Sequence, residues 1–210
     1  MSNRILITGG AGFIGLHLSR HLVSNGYQVD LLDNFTRGIM DLDLETLLSQ
    51  QNVSLIKLDL TDQQSINILG RDYYAIYHLA GIVGVKHVLN KPYQVMDMNI
   101  RMLQNVISLA GRQNNLNRLL FASTSEVYAG TLEKYGLEIP TAEGANIVLP
   151  DLSSPRTTYM LSKIVGEVMC QHSDVPFTIF RPHNIYGPRM GMAHVIPELL
   201  RKVWDIQPPR

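Results

Sequence analysis

Tyr159 and Lys163 stand four residues apart in the run YMLSK, so on a helix a phenol and an ammonium share one face. Free tyrosine ionises at about pH 10, and adjacent positive charge favours the phenolate. Such a pair is suited to act as a general base toward a hydroxyl. A second group, Ser123-Thr124-Ser125-Glu126-Val127-Tyr128, follows a strand-like run. There Thr124 could hydrogen-bond a reacting hydroxyl, and Glu126 could move a proton on a neighbouring carbon. The third is Thr8-Gly9-Gly10-Ala11-Gly12-Phe13-Ile14-Gly15. Gly9, Gly12 and Gly15 permit a tight turn and close approach of backbone to a pyrophosphate. The helix opening at Phe13 and Ile14 offers unpaired N–H groups and a favourable dipole. Asp33 lies eighteen residues beyond Gly15; a carboxylate near this offset accepts hydrogen bonds from an adenosine ribose and repels a 2′-phosphate, favouring NAD over NADP. Arg37, close by, tempers that preference. Each group also has a plainer reading: a turn that only packs, hydroxyls that only satisfy a strand end, a solvated Glu. Their order along the chain gives them weight together.

The elements that must position these residues are legible as apolar runs. Residues 4–8, 28–33, 53–59, 74–79, 116–123 and 176–181 read as strands, almost continuously apolar, as when both faces of a sheet are covered. Residues 12–25, 41–51, 62–69, 91–114, 155–172 and 193–204 read as helices. Strand–helix alternation predicts an α/β fold with a parallel sheet. The long irregular stretch 129–154 follows the fifth strand, at the end of the sheet where open α/β folds bind ligands.

Composition narrows the partners. Among 210 residues, charged ones make up 17% against a usual ~25%, and hydrophobic ones 45%, as a large covered sheet requires. Eighteen basic residues balance eighteen acidic ones, without the basic surplus that nucleic acid or an anionic membrane demands. The single Cys170 excludes an internal disulfide, which points to a reducing compartment. No secretory signal pattern opens the chain and no apolar run reaches ~18 residues. The expectation is a soluble cytoplasmic protein. His17 and His21 are four apart, but neither the HExxH pattern nor a cysteine cluster accompanies them, so no metal site is expected. Met96, Met98 and Met102 read as helix packing.

TGGAGFIG, LDNFTRG, Asp59-Leu60, His78-Leu79-Ala80-Gly81, Asn99, STSEVY, YMLSK and RPHNIYGPRM occur in this order over nearly the whole chain. Together they resemble the extended short-chain dehydrogenase/reductase family, specifically its nucleotide-sugar epimerases, dehydratases and decarboxylases. The resemblance implies a Rossmann-type doubly wound sheet with residues 1–186 as an NAD-binding domain. Residues 187–210 would begin a substrate-binding domain that runs well past this length in the resembling enzymes. The expectation is therefore a truncated chain that binds NAD but turns over sugar nucleotide poorly or not at all.

By the same likeness, NAD would lie on Gly9, Gly12, Phe13, Ile14 and Gly15, with Asp33 and Asn34 at the ribose and Asp59 and Leu60 flanking the adenine. Leu79, Ala80 and Gly81 would line it, Asn99 would support the site, and His183 would sit beside the nicotinamide. Tyr159 would take a proton from a sugar C4 hydroxyl, with Thr124 positioning that hydroxyl. Lys163 would orient the nicotinamide ribose and keep Tyr159 acidic. Ser125 and Asn184 would contact the nucleotide-sugar substrate. From the 4-keto intermediate three outcomes stay open: 4-epimerisation of a UDP-type sugar first, then 4,6-dehydration or UDP-glucuronate-type decarboxylation using Glu126. A catalytically silent NAD-binding module is the reading from a different class. A homodimer through helices 91–114 and 155–172 is also implied.

Overall fold

The apolar runs become the strands of one parallel sheet in the computed structural model, which describes residues 3–192 and 194–205. The strands are β1 (Arg4–Thr8), β2 (Gln28–Asp33), β3 (Val53–Lys57), β4 (Ala75–His78), β5 (Arg118–Ala122) and β6 (Phe177–Phe180). Their order is β3-β2-β1-β4-β5-β6. The chain turns outward from β1 in both directions, so β1 and β4 flank the switch point where such sheets open a crevice. β1 shows why both sides are covered. Its Ile5 and Ile7 pack in one cluster with Leu16, Leu31, Leu44 and Leu47, whereas Leu6 packs in the other with Ile76, Leu103, Val106, Leu109 and Phe121. A strand that buries alternate side chains on opposite faces leaves little room for charge, and the buried Asp30 of the neighbouring β2 is paired with Arg4.

The helices are α1 (Phe13–Ser24), α2 (Leu42–Leu48), α3 (Gln63–Ile66), α4 (Val85–Asn90), α5 (Pro92–Gly111), α6 (Ala129–Tyr135), α7 (Pro155–Gln171) and α8 (Val195–Asp205). Asp41 caps α2 by accepting the Leu44 N–H at 3.0 Å, and a proline opens both α5 and α7, the position where its missing N–H costs nothing. α5 and α7 pack on each other. Gly166 of α7 faces the Phe121 ring so closely that a Cβ there would lie 2.5 Å from Cζ. α7 therefore lies hard against β5, and this sets the height of Lys163 above the strand.

The sheet agrees with the apolar runs to within a few residues, and two helices were not anticipated. α4 buries only Val88, and α6, inside the stretch expected to be irregular, buries only Gly130 and Thr131. Neither has an apolar stripe to announce it. α3 is a single turn where 62–69 was expected, and a 3-10 turn (Ser125–Tyr128) follows β5.

Candidate functional site

Backbone forms the first wall of the crevice. Gly9 turns at φ +71°, and a Cβ there would lie 2.9 Å from the Ala80 nitrogen. A Cβ on Gly15 would lie 2.4 Å from the Gly9 carbonyl oxygen, and one on Gly12 3.1 Å from the same atom. Gly10, not singled out in the sequence, is equally confined, with Leu31 Cβ 2.8 Å from where its own would be. At Gly9, Gly10 and Gly15 a Cβ would come within 3 Å of its neighbours, so the turn tolerates no side chain at those three positions. The cradle that a Cβ would fill, opening onto the N-terminus of α1, matches what a dinucleotide pyrophosphate needs.

Asp33 ends β2 buried beneath the turn, its carboxylate accepting the Ala11 N–H at 3.0 Å and the Phe35 N–H at 2.8 Å. It thus shapes the turn and the loop after β2, with lone pairs to spare for a ribose. Asn34 donates to Asp59 at 3.3 Å, and Asp59 also accepts from the Thr61 N–H and hydroxyl. Leu60 is 3% exposed and its carbonyl accepts from Asn105 at 2.8 Å. Of this pair, Asp59 is the residue that presents a polar group to solvent.

Across the crevice, Thr8 accepts the Ala80 N–H at 3.3 Å and shares a 2.8 Å hydrogen bond with His78. Burial, and secondarily Lys163, push His78 down to about 3, so it is a neutral core histidine. Asn99, buried on α5, grips Ile82 from both sides, accepting its N–H at 2.7 Å and donating to its carbonyl at 3.2 Å. The same amide reaches Ser162 on α7 at 3.3 Å. Leu79, Ala80 and Gly81 are thereby fixed between Thr8 and Asn99, all partly exposed.

Thr124, Tyr159, Lys163 and Glu126 converge at the carboxyl end of β5. Lys163 is 5% exposed. Its Nζ donates to the Ala122 carbonyl at 2.8 Å and stands 5.0 Å from the Phe121 ring centre and 5.9 Å from that of Tyr159. Burial pushes its pKa down to about 8. Tyr159 behaves differently from the expectation that Lys163 keeps it acidic. Burial, then Glu126, push the phenol up to about 12, against a hydrogen bond from Thr124 and the charge of Arg37. The ammonium is turned to a carbonyl instead of the phenol oxygen, so in the chain by itself Tyr159 holds its proton at neutral pH. Burial also raises Glu126, with Arg156 opposing.

The Ser125 N–H donates to the Pro182 carbonyl at 3.1 Å and the Ser123 N–H to that of Phe180 at 2.8 Å. The segments STSEVY and RPHN therefore run side by side, with Ser125 partly buried and His183 and Asn184 exposed.

Sequence reasoning missed the residues beneath this cluster. Glu167, two turns after Tyr159 on α7, is 4% exposed. It accepts from Ser123 Oγ at 2.5 Å and from Arg181 Nε and Nη2 at 2.8 and 2.6 Å. Arg181 also donates to the Tyr128 hydroxyl and, at 3.0 Å, to the Glu143 carbonyl. The pairing joins α7, the end of β5 and the end of β6, and nothing in a charged residue's local surroundings signals it. Among the described residues no cluster of three or more His, Cys, Asp or Glu is suited to a metal, and no helix is long and apolar enough to cross a membrane.

Comparison with known proteins adds to this geometry. Residues 5–208 match the family model described as "NAD dependent epimerase/dehydratase family". The chain is 34% identical over 207 residues to a UDP-N-acetyl-alpha-D-glucosaminuronate decarboxylase of Bacillus cytotoxicus, covering 96% of this chain and 61% of that protein. It is 30% identical to a putative UDP-glucose 4-epimerase of Methanocaldococcus jannaschii, covering 98% and 64%. Among solved structures, a Bacillus cereus UDP-glucuronic acid 4-epimerase variant in complex with NAD and a fluorinated UDP-glucuronic acid superposes with a TM-score of 0.79. That match has 27% identity and covers 96% of this chain and 63% of that one. The chain spans less than two thirds of the length of each of these proteins.

Proposed function

The chain belongs to the NAD dependent epimerase/dehydratase family, and from that premise we propose that it carries the cofactor half and the catalytic residues of an enzyme that modifies a nucleotide-activated sugar through a 4-keto intermediate. The observation that carries the reading is the convergence of Thr124, Tyr159 and Lys163 at the end of β5, on the sheet whose first turn is the glycine cradle. Gly9, Gly12, Phe13, Ile14, Gly15, Asp33, Asn34, Asp59, Leu60, Leu79, Ala80, Gly81, Asn99, Tyr159, Lys163 and His183 are the residues we assign to NAD. When bound, NAD supplies a hydride acceptor and a positively charged ring. Residues 1–186 form the cofactor domain in this reading, and 187–210 open the substrate side.

Tyr159 Oη takes the proton of the C4 hydroxyl, and Thr124 Oγ1 holds that hydroxyl in line. Burial and Glu126 raise the phenol pKa, and positive charge brought into the crevice would favour the phenolate that this step needs. Lys163, still charged at neutral pH with its pKa lowered to about 8, anchors the ribose from the Ala122 side. Ser125 and Asn184 face the sugar nucleotide. Our first reading of the outcome is 4-epimerisation of a UDP-type sugar. The position of Glu126, close enough to Tyr159 for its charge to act on the phenol, supports a second: Glu126 moves a proton at C5, either as a 4-keto uronate loses CO₂ or in the loss of water across C5–C6.

Incubation with UDP-, GDP-, CDP- and dTDP-sugars, read by NMR and mass spectrometry, separates the outcomes as an isobaric stereoisomer or a loss of CO₂ or water. Tyr159→Phe is expected to lower whatever turnover the chain supports roughly 10²–10⁴-fold, the usual worth of a general base, with NAD still bound because the other residues assigned to it are unchanged. Undiminished turnover would remove Tyr159 from the chemistry. Full product formation by Glu126→Gln would do the same for Glu126.

A further inference from the structure

One arginine in the RPHNIYGPRM run has no part in the reading above. Arg189 lies beyond the last strand, in a loop, at φ +70°, a left-handed conformation uncommon for a side-chain-bearing residue and held only where surroundings enforce it. Its side chain is 10% exposed, and all five of its N–H donors find oxygens. Nε donates to Asp41 Oδ2 at 2.6 Å, and Nη2 to Asp41 Oδ1 at 3.1 Å and to the Ile39 carbonyl at 2.7 Å. Nη1 donates to the carbonyls of Ala11 at 2.8 Å and Gly12 at 3.2 Å. The loop carrying it is seated on the same helix end. The Pro188 carbonyl bonds His17 Nε2 at 3.0 Å, and Gly187 adjoins the Phe13 ring.

We propose that Arg189 is a positioning residue for the diphosphate of the cofactor, acting from behind through the glycine turn. The inference rests on the NAD reading. The carbonyls of Ala11 and Gly12 belong to the peptide units whose N–H groups are those of Gly12 and Phe13, at the N-terminus of α1; the first donates to the Gly9 carbonyl at 3.1 Å, so the effect on a ligand runs through the second. A charged donor on a peptide carbonyl polarises the unit and strengthens its N–H as a donor, and Phe13 stands among the first helical N–H groups that have no partner within the helix. Through Asp41 and Ile39 the guanidinium fastens the loop after β2, which begins at the ribose-side Asp33, to the same turn. One side chain from outside the sheet thus holds both strips of backbone on which the dinucleotide would lie. In this proposal the segment 187–190, just past the boundary at Tyr186, supports the cofactor domain from outside. A lysine, with one point charge, cannot span five such oxygens.

The test is calorimetric titration of the 210-residue chain with NAD, beside Arg189→Met and Arg189→Lys, at a temperature where circular dichroism shows all three folded. Hydrogen exchange of residues 11–13 and 36–41 is followed in the absence of NAD. The expected result is at least a tenfold loss of NAD affinity in both variants, with faster exchange in both strips and no rescue by lysine. Folded variants that bind NAD within twofold of the unaltered chain would overturn the proposal. Should neither variant fold, Asp41→Ser keeps a capping hydroxyl for α2 while removing the carboxylate end of the fork. A severalfold weaker affinity supports the strap there and an unchanged one overturns it. Absence of NAD binding by the unaltered chain would overturn the cofactor reading together with this one, whereas binding that the variants share overturns this one alone.

Discussion

Lys163 has the Tyr159 and Phe121 rings and the Ala122 carbonyl around it, and burial is what lowers its pKa. Its cost is readable in pH. Burial lowers its pKa to about 8 from an unfolded value of 10.5. Below about 8 it is charged in both states and the folded state bears the desolvation penalty. Between about 8 and 10.5 the unfolded chain binds the extra proton, so this residue's contribution to stability rises with pH, and above that window it levels off. The two values correspond to order 3 kcal/mol. Lys163→Met removes the titration and also leaves the Ala122 carbonyl without its donor, a loss that does not depend on pH. The stability of the natural chain minus that of the variant is therefore expected to climb by up to about 3 kcal/mol from pH 8 to 10.5 in urea titrations. Tyr159 titrates in both proteins and largely cancels. A flat difference would mean that the ammonium is not desolvated as its surroundings require.

At the scale of elements, the pair Glu167–Arg181 is what keeps α7 in register with the ends of β5 and β6. Burial alone would raise Glu167, and the hydrogen bonds from Arg181 and Ser123 and the charge of Arg181 reverse that to a lowered pKa. A depressed carboxyl contributes stability that is present above the unfolded pKa and is lost as pH falls through the folded one. Arg181→Met leaves Glu167 buried and uncompensated, and breaking such a pair costs about 3–5 kcal/mol. Because Arg181 is 20% exposed, the lower end is expected. Glu167→Leu combined with Arg181→Met is expected to recover much of it, in a double-mutant cycle of unfolding free energies. Recovery of nothing would make Ser123 and Tyr128, rather than the ion pair, the source of the loss. The sheet was legible because β1, β2 and β4 bury side chains on both faces, and the flanking strands, though only partly buried, carry apolar runs of the same kind. The turn and the Tyr159–Lys163 pair were legible because their partners lie within a few residues. Glu167 and Arg181, fourteen residues apart and on different elements, and Arg189, whose oxygens lie 148–178 residues away, leave no local trace. α4 and α6 stayed invisible because each is short and buries almost nothing apolar.

Across the whole molecule the stabilising burial is divided unevenly. Both faces of the sheet are closed, whereas α8 contributes nothing to either cluster: none of its described residues is buried, and Val195, Leu199, Leu200, Val203 and Trp204 are 54–87% exposed. Its apolar side looks onto a groove with Tyr186, Pro188 and Met190, next to the loop that carries Arg189. Contiguous exposed apolar surface of this kind binds hydrophobic dyes and promotes association, but it adds nothing to folding free energy. The contrast gives a sharp expectation. Leu103→Ala, in a fully buried position on α5, is expected to cost about 2–5 kcal/mol. Leu200→Asn together with Val203→Asn is expected to change unfolding free energy by no more than about 0.5 kcal/mol, while dye binding falls. Trp204 reports on the same face directly, because it is the single tryptophan of the chain and 87% exposed. Its emission is expected at the red, water-exposed end of the tryptophan range and open to quenching by acrylamide, and whatever covers the face would move it to the blue. A blue, unquenchable emission from the monomeric chain, or a large stability loss on replacing Leu200 and Val203, would show that α8 packs into the fold instead of lying on it. Its residues would then have to be counted with the core.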